Sequence, residues 1–474
     1  MAQKLEKITQ RDEDFSKWYT DVVKNAGLAD YGPVKGTMIF KPYGYAIWEN
    51  IMKIADKMFK EVNVENVYFP LLIPASLFNK EKEHIEGFAP ELATVTKVGD
   101  KSLGEELYIR PTSEVLICTH FAKEVKSYRD LPLIYNQWTN VMRWEKTTRP
   151  FLRTSEFLWQ EGHTIHSTPK EAKEMTLTIF EIYKKLANDF LLLPVISGRK
   201  TEKEKFAGAK ETYSIEALMY DGQALQSGTS HYFGDNFAKA FNIKFQNKEQ
   251  KEEYAYSTSW GVSTRLIGAI IMSHSDDQGL VLPSKIAPIQ IQIININESD
   301  DVLEISNQLK NDLKNDFRVF VDNTDKSFGY KISEAEIKGV PIRIEVGPRD
   351  IANGVVTISR RDIRNKEQVK INEVKEYVNK QILEHDKNIF NIALNNLNSR
   401  TFKANTIEEY QEILENKQGL VLVPFCGDID CENDIKEKTQ TNSRCIPDNV
   451  EHKKSKCFNC KRDSDKLVYF ARAY

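Results

Sequence analysis

Arg143-Trp-Glu-Lys-Thr-Thr-Arg-Pro-Phe-Leu-Arg-Thr-Ser-Glu-Phe157 sets Arg143, Glu145, Arg153 and Phe157 within fifteen residues. Leu131 to Trp138 before it and Phe157 to Glu161 after it have the apolar and aromatic composition of β-strands. Between them, Lys146 to Pro150 is short and polar, which predicts a hairpin loop. Two strand-borne arginines, an aromatic ring and two carboxylates make a bed for a nucleotide, because guanidinium forks grip phosphate oxygens and a flat ring stacks on a base. The same residues also suit an ordinary salt-bridged surface hairpin, and this segment alone does not separate the two.

A chain of 474 residues has room for two or three domains, each with its own core. Its 41% hydrophobic and 28% charged content is that of soluble globular proteins. No run approaches the roughly 20 apolar residues that span a bilayer. The start, Met1-Ala-Gln-Lys-Leu-Glu-Lys, lacks an apolar signal core, so no membrane association and a cytoplasmic location are expected. A net charge of −3 argues against wholesale coating of nucleic acid and leaves room for a local basic face.

Apolar residues at Ile47, Ile51, Ile54, Ala55, Met58 and Phe59 predict a helix over 45–59, followed by a strand at Val67 to Phe69 that stops at Pro70. After Pro283 and Pro288 the pattern changes. Strands at 289–293, 318–321, 342–346 and 355–359 alternate with helices around 302–313, 332–337 and 374–397, which predicts a small mixed α/β domain. A third unit begins near Thr401 with a helix over 407–416 and a strand at 419–423. The expected division is 1–284, 285–400 and 401–474.

Five of the six cysteines fall between Cys426 and Cys460, with Cys118 outside. A disulfide scaffold is out of place in a large chain without a secretory signal, so metal binding is the better reading. Cys426-x₄-Cys431 and Cys457-x₂-Cys460, 25 residues apart, offer four thiolates for a tetrahedral structural Zn²⁺. Cys445 pairs with no near neighbour and is left out.

The opening stretch, continued through Phe157-Leu-Trp-Gln-Glu-Gly-His163, resembles motif 2 of the class II aminoacyl-tRNA synthetases in the form of the prolyl subgroup, archaeal/eukaryotic-like type. Thr258-Ser-Trp-Gly-Val-Ser-Thr-Arg265 resembles motif 3, and residues 38–74 resemble motif 1. The three occur in the family's order, and the resemblance covers nearly the whole chain. It implies an α+β fold: an antiparallel-sheet catalytic core, a mixed α/β anticodon-binding domain, and a small α/β zinc-binding C-terminal domain. It also implies a homodimer built through motif 1, although a helix simply packed on the sheet would read the same way.

The implied reaction joins proline to ATP, giving prolyl-adenylate and pyrophosphate, and then transfers prolyl to tRNA(Pro). By its place in motif 2, Arg143 would bridge the amino-acid carboxylate and the α-phosphate, and Arg153 would hold the outer phosphates. Phe157 and Arg265 would sandwich adenine. Glu145 would contact the adenine side, with Ser263 beside it. Mg²⁺ would accompany the phosphates as counter-charge. Arg143 and Arg265 are the expected catalytic residues.

For proline, Arg110-Pro-Thr112-Ser113-Glu114 matches the family's amino-acid loop, and a secondary ammonium with two hydrogens suits Glu114 and Thr112. Trp159, Glu161 and His163 alternate along one strand and so face one side, where they would wall the ring pocket. Gln226-Ser-Gly-Thr229-Ser-His231 resembles a family loop that places Gln226 and Thr229 toward ATP and His231 toward proline.

Two departures stand out. His274-Ser275-Asp276 has serine where the family has glycine, which leaves open whether the backbone there needs a glycine's freedom. The motif 2 loop is slightly short, so Arg149 and Arg153 could exchange roles. About a hundred residues separate motifs 2 and 3, all assigned to the core, so no cis-editing domain is expected. In the second unit, Val346-Gly-Pro-Arg349-Asp350 and Ser359-Arg360-Arg361-Asp362 offer donors for guanine edges, with Arg349 and then Glu345 favoured. Lys453, Lys454, Lys456, Lys461 and Arg462 form a basic knuckle that could touch tRNA or simply be solvated. The terminal Tyr474 is expected to reach back toward the active site, by resemblance.

A catalytically silent tRNA-binding paralogue is the alternative; it would lose the motif arginines, and Arg143 and Arg265 are both present. A threonyl enzyme would need a zinc ligand set inside the catalytic domain, and no such pattern is found.

Overall fold

The computed structural model describes residues 7–79, 92–448, 450–451 and 454–474. An eleven-stranded sheet forms its backbone, in the order Thr401–Lys403, Leu420–Phe425, Lys466–Ala471, Asn442–Pro447, Val195–Arg199, Glu211–Leu218, Ala224–Gly234, Tyr256–Ser263, Glu156–His166, Leu133–Met142, Glu65–Asn66. The strands from Val195–Arg199 to Leu133–Met142 pair antiparallel throughout.

Helices Pro42–Lys60, Pro169–Lys185 and Arg265–His274 cover this sheet and fill one large core with Trp48, Ile51, Phe59, Ile179, Tyr183 and Ile270. Helix Pro169–Lys185 shows why the sequence folds this way. Thr168 accepts from the Glu171 backbone while the Glu171 carboxylate returns to Thr168, Pro169 opens the first turn, and Lys184 and Lys185 close the last. Its buried residues, Ala172, Thr176, Ile179, Phe180 and Tyr183, recur at helical spacing.

The second unit is a five-stranded sheet in the order Val319–Asp322, Ile291–Asn295, Ile342–Val346, Val355–Arg360, Lys366–Lys370. The first two pairings are parallel and the rest antiparallel, with the long helix Val374–Ser399 packed across it. The third unit does not stand apart. Its strand Asn442–Pro447 pairs with Val195–Arg199 of the first unit through Ile446↔Arg199 and Pro447↔Gly198. A Cβ on Gly198 would stand 2.0 Å from the Ile446 carbonyl oxygen, so only glycine permits this seam.

Three sequence expectations are corrected. Val67 to Phe69 is not strand: pairing ends at Glu65–Asn66, the Val67 N–H donates once more to the Asn136 carbonyl, and side chains then take the backbone groups of Phe69. Phe69 N donates to Gln137 Oε1, and Arg110 donates to the Phe69 carbonyl at 2.6 Å. The motif 2 loop is not confined to 146–150; the ladder stops at Met142↔Glu156, and residues 143–155 form the connection. Its middle folds inward, burying Phe151, which takes a left-handed φ of 61°, and Leu152 in the main core. The Gln226–His231 stretch, expected as a loop, lies inside strand Ala224–Gly234. Ser275 has φ −69° and ψ 156°, ordinary extended backbone that needs no glycine.

Candidate active site

Strand Glu156–His166 projects Trp159, Glu161 and His163 from one face into a cavity of about 200 Å³. Thr112 and Glu114 line it where the chain enters helix Glu114–Glu124. Gln226, Thr229 and His231, two strands along the same sheet, line it as well. Positions 226 and 229 are an odd number apart and would face opposite ways on a regular strand. A β-bulge at Ser227, where the register passes from Ile215↔Gly228 to Glu216↔Gln226, turns both toward the cavity.

Glu161 organises the floor. Its Oε2 accepts from Thr112 Oγ1 at 3.0 Å and from the Ser113 backbone at 2.9 Å, and it meets His163 Nε2 at 3.1 Å. His163 Nδ1 lies 3.9 Å from Glu114 Oε1. Burial opposes both charges in the Glu161–His163 contact, but their mutual hydrogen bond prevails. Glu161 is held below the ordinary carboxyl range and His163 above the ordinary imidazole value. His231 behaves oppositely: burial, then the positive fields of His163 and Lys200, push it down to about 3, so its ring is neutral. Ser113 stands behind the wall, with its hydroxyl accepting from Gln137 Nε2 at 2.9 Å.

A second cavity of about 80 Å³ adjoins the first, lined by Glu145, Arg153, Phe157, Ser263 and Arg265, with Arg143 lining both. Arg143 donates from Nε to the Pro111 carbonyl at 3.0 Å, and its guanidinium lies 5.0 Å from the Trp159 ring centre and 5.5 Å from that of Phe157. Burial lowers it to about 10, which leaves it cationic at neutral pH. Arg265 opens helix Arg265–His274; its backbone donates to Ser263 Oγ at 3.2 Å, and its Nε to the Leu152 carbonyl at 3.2 Å. Arg153 is half exposed and 3.9 Å from Glu145. Arg149 does not share this cavity: its guanidinium lies 4.8 Å from the Tyr19 ring centre and 5.3 Å from that of the terminal Tyr474.

Lys200, Glu204, Phe206 and Thr212 also line the first cavity and were not singled out from sequence. They fall in and around the run Lys200-Thr-Glu-Lys-Glu-Lys-Phe206, whose charges look like a solvated surface. Ser259 and Trp260, inside the motif 3 stretch, line it as well.

In the third unit the sulfurs of Cys426, Cys431, Cys457 and Cys460 all lie within 4.8 Å of one another. Cys431–Cys457 is 3.8 Å and Cys426–Cys460 is 3.6 Å. Thiolates about 2.3 Å from a tetrahedral Zn²⁺ stand about 3.8 Å apart, so the donor set fits. Cys431 is carried by helix Ile429–Thr439, and Asn459 Nδ2 and Arg462 Nε donate to the Cys431 and Cys460 sulfurs at 3.4 and 3.3 Å. Cys445 is buried beside Glu216 and takes no part. Among the described residues this is the one cluster of such groups that could hold a metal ion. Of the basic knuckle, Lys453 lies outside the described residues.

In the second unit Arg349 is exposed on the short helix Pro348–Ala352. Glu345 is buried and paired with Arg343 at 3.1 Å and Lys366 at 2.9 Å. Arg360 and Arg361, expected as free donors, are committed: Arg360 to Asp362 at 2.7 Å, and Arg361 to Asp276 through both amino groups at 2.8 and 2.6 Å.

An antiparallel sheet that carries one arginine in the connection of its 133–166 hairpin and another at the head of the helix after strand Tyr256–Ser263 is the core of a class II aminoacyl-tRNA synthetase. Residues 94–274 match the model of the tRNA synthetase class II core domain (G, H, P, S and T), 290–381 the anticodon binding domain, and 407–474 the prolyl-tRNA synthetase C-terminal domain. The chain is 67% identical over 470 residues to a proline--tRNA ligase of Mesoplasma florum, covering 99% of each chain. It is 52% identical to that of Ruminiclostridium cellulolyticum, covering 99% of this chain and 98% of the relative. The solved prolyl-tRNA synthetase of Cryptosporidium parvum, complexed with halofuginone and AMPPNP, superposes with a TM-score of 0.94 at 39% identity, covering 99% of this chain and 100% of that one. The chain belongs to the prolyl-tRNA synthetase family.

Proposed function

We propose that this chain ligates L-proline to tRNA(Pro) in two steps, activation to prolyl-adenylate with release of pyrophosphate, then transfer to the tRNA 3′ end. The observation that carries this reading is Arg143, a half-buried cation lining both cavities at once. Joining a carboxylate to a triphosphate brings two anions together, and a preformed cation between them lowers that barrier with no covalent chemistry by the protein. Proline occupies the first cavity: Glu114 and Thr112 accept from its secondary ammonium, and Trp159, Glu161, His163 and His231 bound the ring. ATP occupies the second: Phe157 and Arg265 flank adenine, Arg153 meets the outer phosphates, and Glu145, Ser263, Gln226 and Thr229 complete the surround. That the Cryptosporidium neighbour holds AMPPNP supports a nucleotide in this fold. Mg²⁺ arrives with the nucleotide as its counter-charge.

Amino-acid-dependent ATP–pyrophosphate exchange tests the reading. Exchange stimulated by proline above all other amino acids supports it, and its absence refutes it.

The three units 1–284, 285–400 and 401–474 then serve catalysis, anticodon binding and Zn²⁺-stabilised support, with Arg349 contacting the anticodon more than the doubly paired Glu345. An Arg349→Ala enzyme should keep exchange and charge tRNA poorly; unchanged charging refutes that role. Tyr31, Ile39 and Tyr68, 65%, 53% and 75% exposed around the motif 1 helix, support a homodimer. A monomer in sedimentation at micromolar concentration rules it out. Residues 167–255 are largely taken up by helix Pro169–Lys185 and the strands that extend or flank the sheet, which supports the reading that the chain carries no cis-editing domain. Rapid deacylation of alanyl-tRNA by the pure protein would overturn this. No described helix is long and apolar enough to cross a membrane, in keeping with the cytoplasmic site of translation.

A further inference from the structure

Three charges are buried together where the third unit joins the sheet. Glu216 is fully buried, Lys200 2% exposed and Arg444 7% exposed at the side chain. Glu216 Oε1 accepts from Lys200 Nζ at 2.7 Å and Ser214 Oγ at 2.9 Å. Glu216 Oε2 accepts from Arg444 Nε at 3.0 Å and its amino group at 2.5 Å. Arg444 lies on strand Asn442–Pro447 of the C-terminal unit, 228 residues from Glu216 in sequence. Lys200 follows strand Val195–Arg199, with which that unit pairs, and lines the amino-acid cavity. A second seam lies alongside: Thr201 Oγ1 and Ser443 Oγ are 2.9 Å apart.

One carboxylate between two cations leaves the trio with one net positive charge. The group is buried away from water, and its member Lys200 lines the cavity and is among the groups that lower His231. Without Arg444, Glu216 and Lys200 would cancel. We propose that the C-terminal unit completes the amino-acid cavity: Arg444 is a positioning residue that occupies one oxygen of Glu216, holds Lys200 on the other, and so supplies net positive charge that favours the substrate carboxylate. This rests on the reading of the first cavity as the proline site.

The test is proline-dependent exchange by the full chain carrying Arg444→Met, Arg444→Lys, Glu216→Gln, or Arg444→Met with Glu216→Gln. Arg444→Met removes one buried charge and should raise KM for proline on the order of tenfold while moving KM for ATP less than about twofold. Arg444→Lys should recover most of the loss. The double variant again leaves one positive charge, on Lys200, and should return KM toward wild type, whereas a purely structural role predicts a double variant at least as impaired as the single one. KM for proline unchanged in Arg444→Met, or a double variant worse than Arg444→Met, overturns the proposal. Should Arg444→Met not fold, Glu216→Gln decides alone: a lower KM for proline supports the proposal and an unchanged or higher one refutes it. A wild-type chain with no proline-dependent exchange would instead sink the proline reading itself.

Discussion

Replacing Arg143 by Met should separate catalysis from stability. Its guanidinium falls from its ordinary, higher value to about 10 because burial outweighs the attraction of Glu161, with Arg265 adding repulsion. At about 1.4 kcal/mol per tenfold, the folded environment therefore disfavours this charge by about 3 kcal/mol. Against that stand the contacts over Trp159 and Phe157 and the bond to the Pro111 carbonyl, each about 1 kcal/mol. Arg143→Met should then leave the melting temperature nearly unchanged or slightly raised. Chemistry should suffer heavily, because losing one preorganised charge aimed at a developing anion costs about 10²–10³ in rate. Arg143→Lys keeps the charge but loses the fork and the stacking, so it should fall between. The assay pairs proline-dependent exchange with thermal melting on the same preparations. Exchange within about tenfold of wild type in Arg143→Met, or a rate loss matched by a melting drop of more than about 5 °C, would refute the reasoning.

The chain as purified should hold about one equivalent of Zn²⁺, and Cys457→Ser should lose it and melt lower while keeping exchange. Metal under about a tenth of an equivalent, together with an unshifted melt, removes the site. For the Glu161–His163 pair the signs differ: the raised His163 favours its protonated form, fully present below its ordinary value and lost as pH climbs through the folded one. Glu161, depressed, stays anionic until pH falls through its lowered value. KM for proline should therefore rise on the alkaline side, and His163→Gln should abolish that limb; a limb that survives the substitution refutes the assignment. Deleting Tyr474 removes its hydroxyl bond to Asp221 and the ring beside Arg149, freeing the 143–155 loop. KM for ATP should rise several-fold, from the roughly 1–3 kcal/mol such contacts hold. Unchanged ATP kinetics would show that the tail does not steer the loop.

Local chemistry made much of this protein legible. Helical spacing over Ile47 to Phe59 and the alternation of Trp159, Glu161 and His163 depend only on neighbours three, four or two residues away, and each appears where the spacing places it. The paired cysteines were equally readable, since four thiolates near in sequence have few other uses in such a chain. What escaped depends on partners far along the chain. Only strand pairing shows that the Ser-Gly-Thr stretch after Gln226 is a bulged strand and no loop, because the bulge exists by reference to Glu211–Leu218. Arg149 and Arg153 are alike by composition; burial of Phe151 and Leu152 sends one to Tyr474 and the other to the second cavity. Lys200, Glu216 and Arg444 look like unrelated charges until two distant strands meet at Gly198. The sequence by itself determined which chemistries the chain owns, because those follow from residue type and short spacing. The tertiary structure decided which of them face one another, because a buried charge finds its partner only when long-range closure expels the water between them.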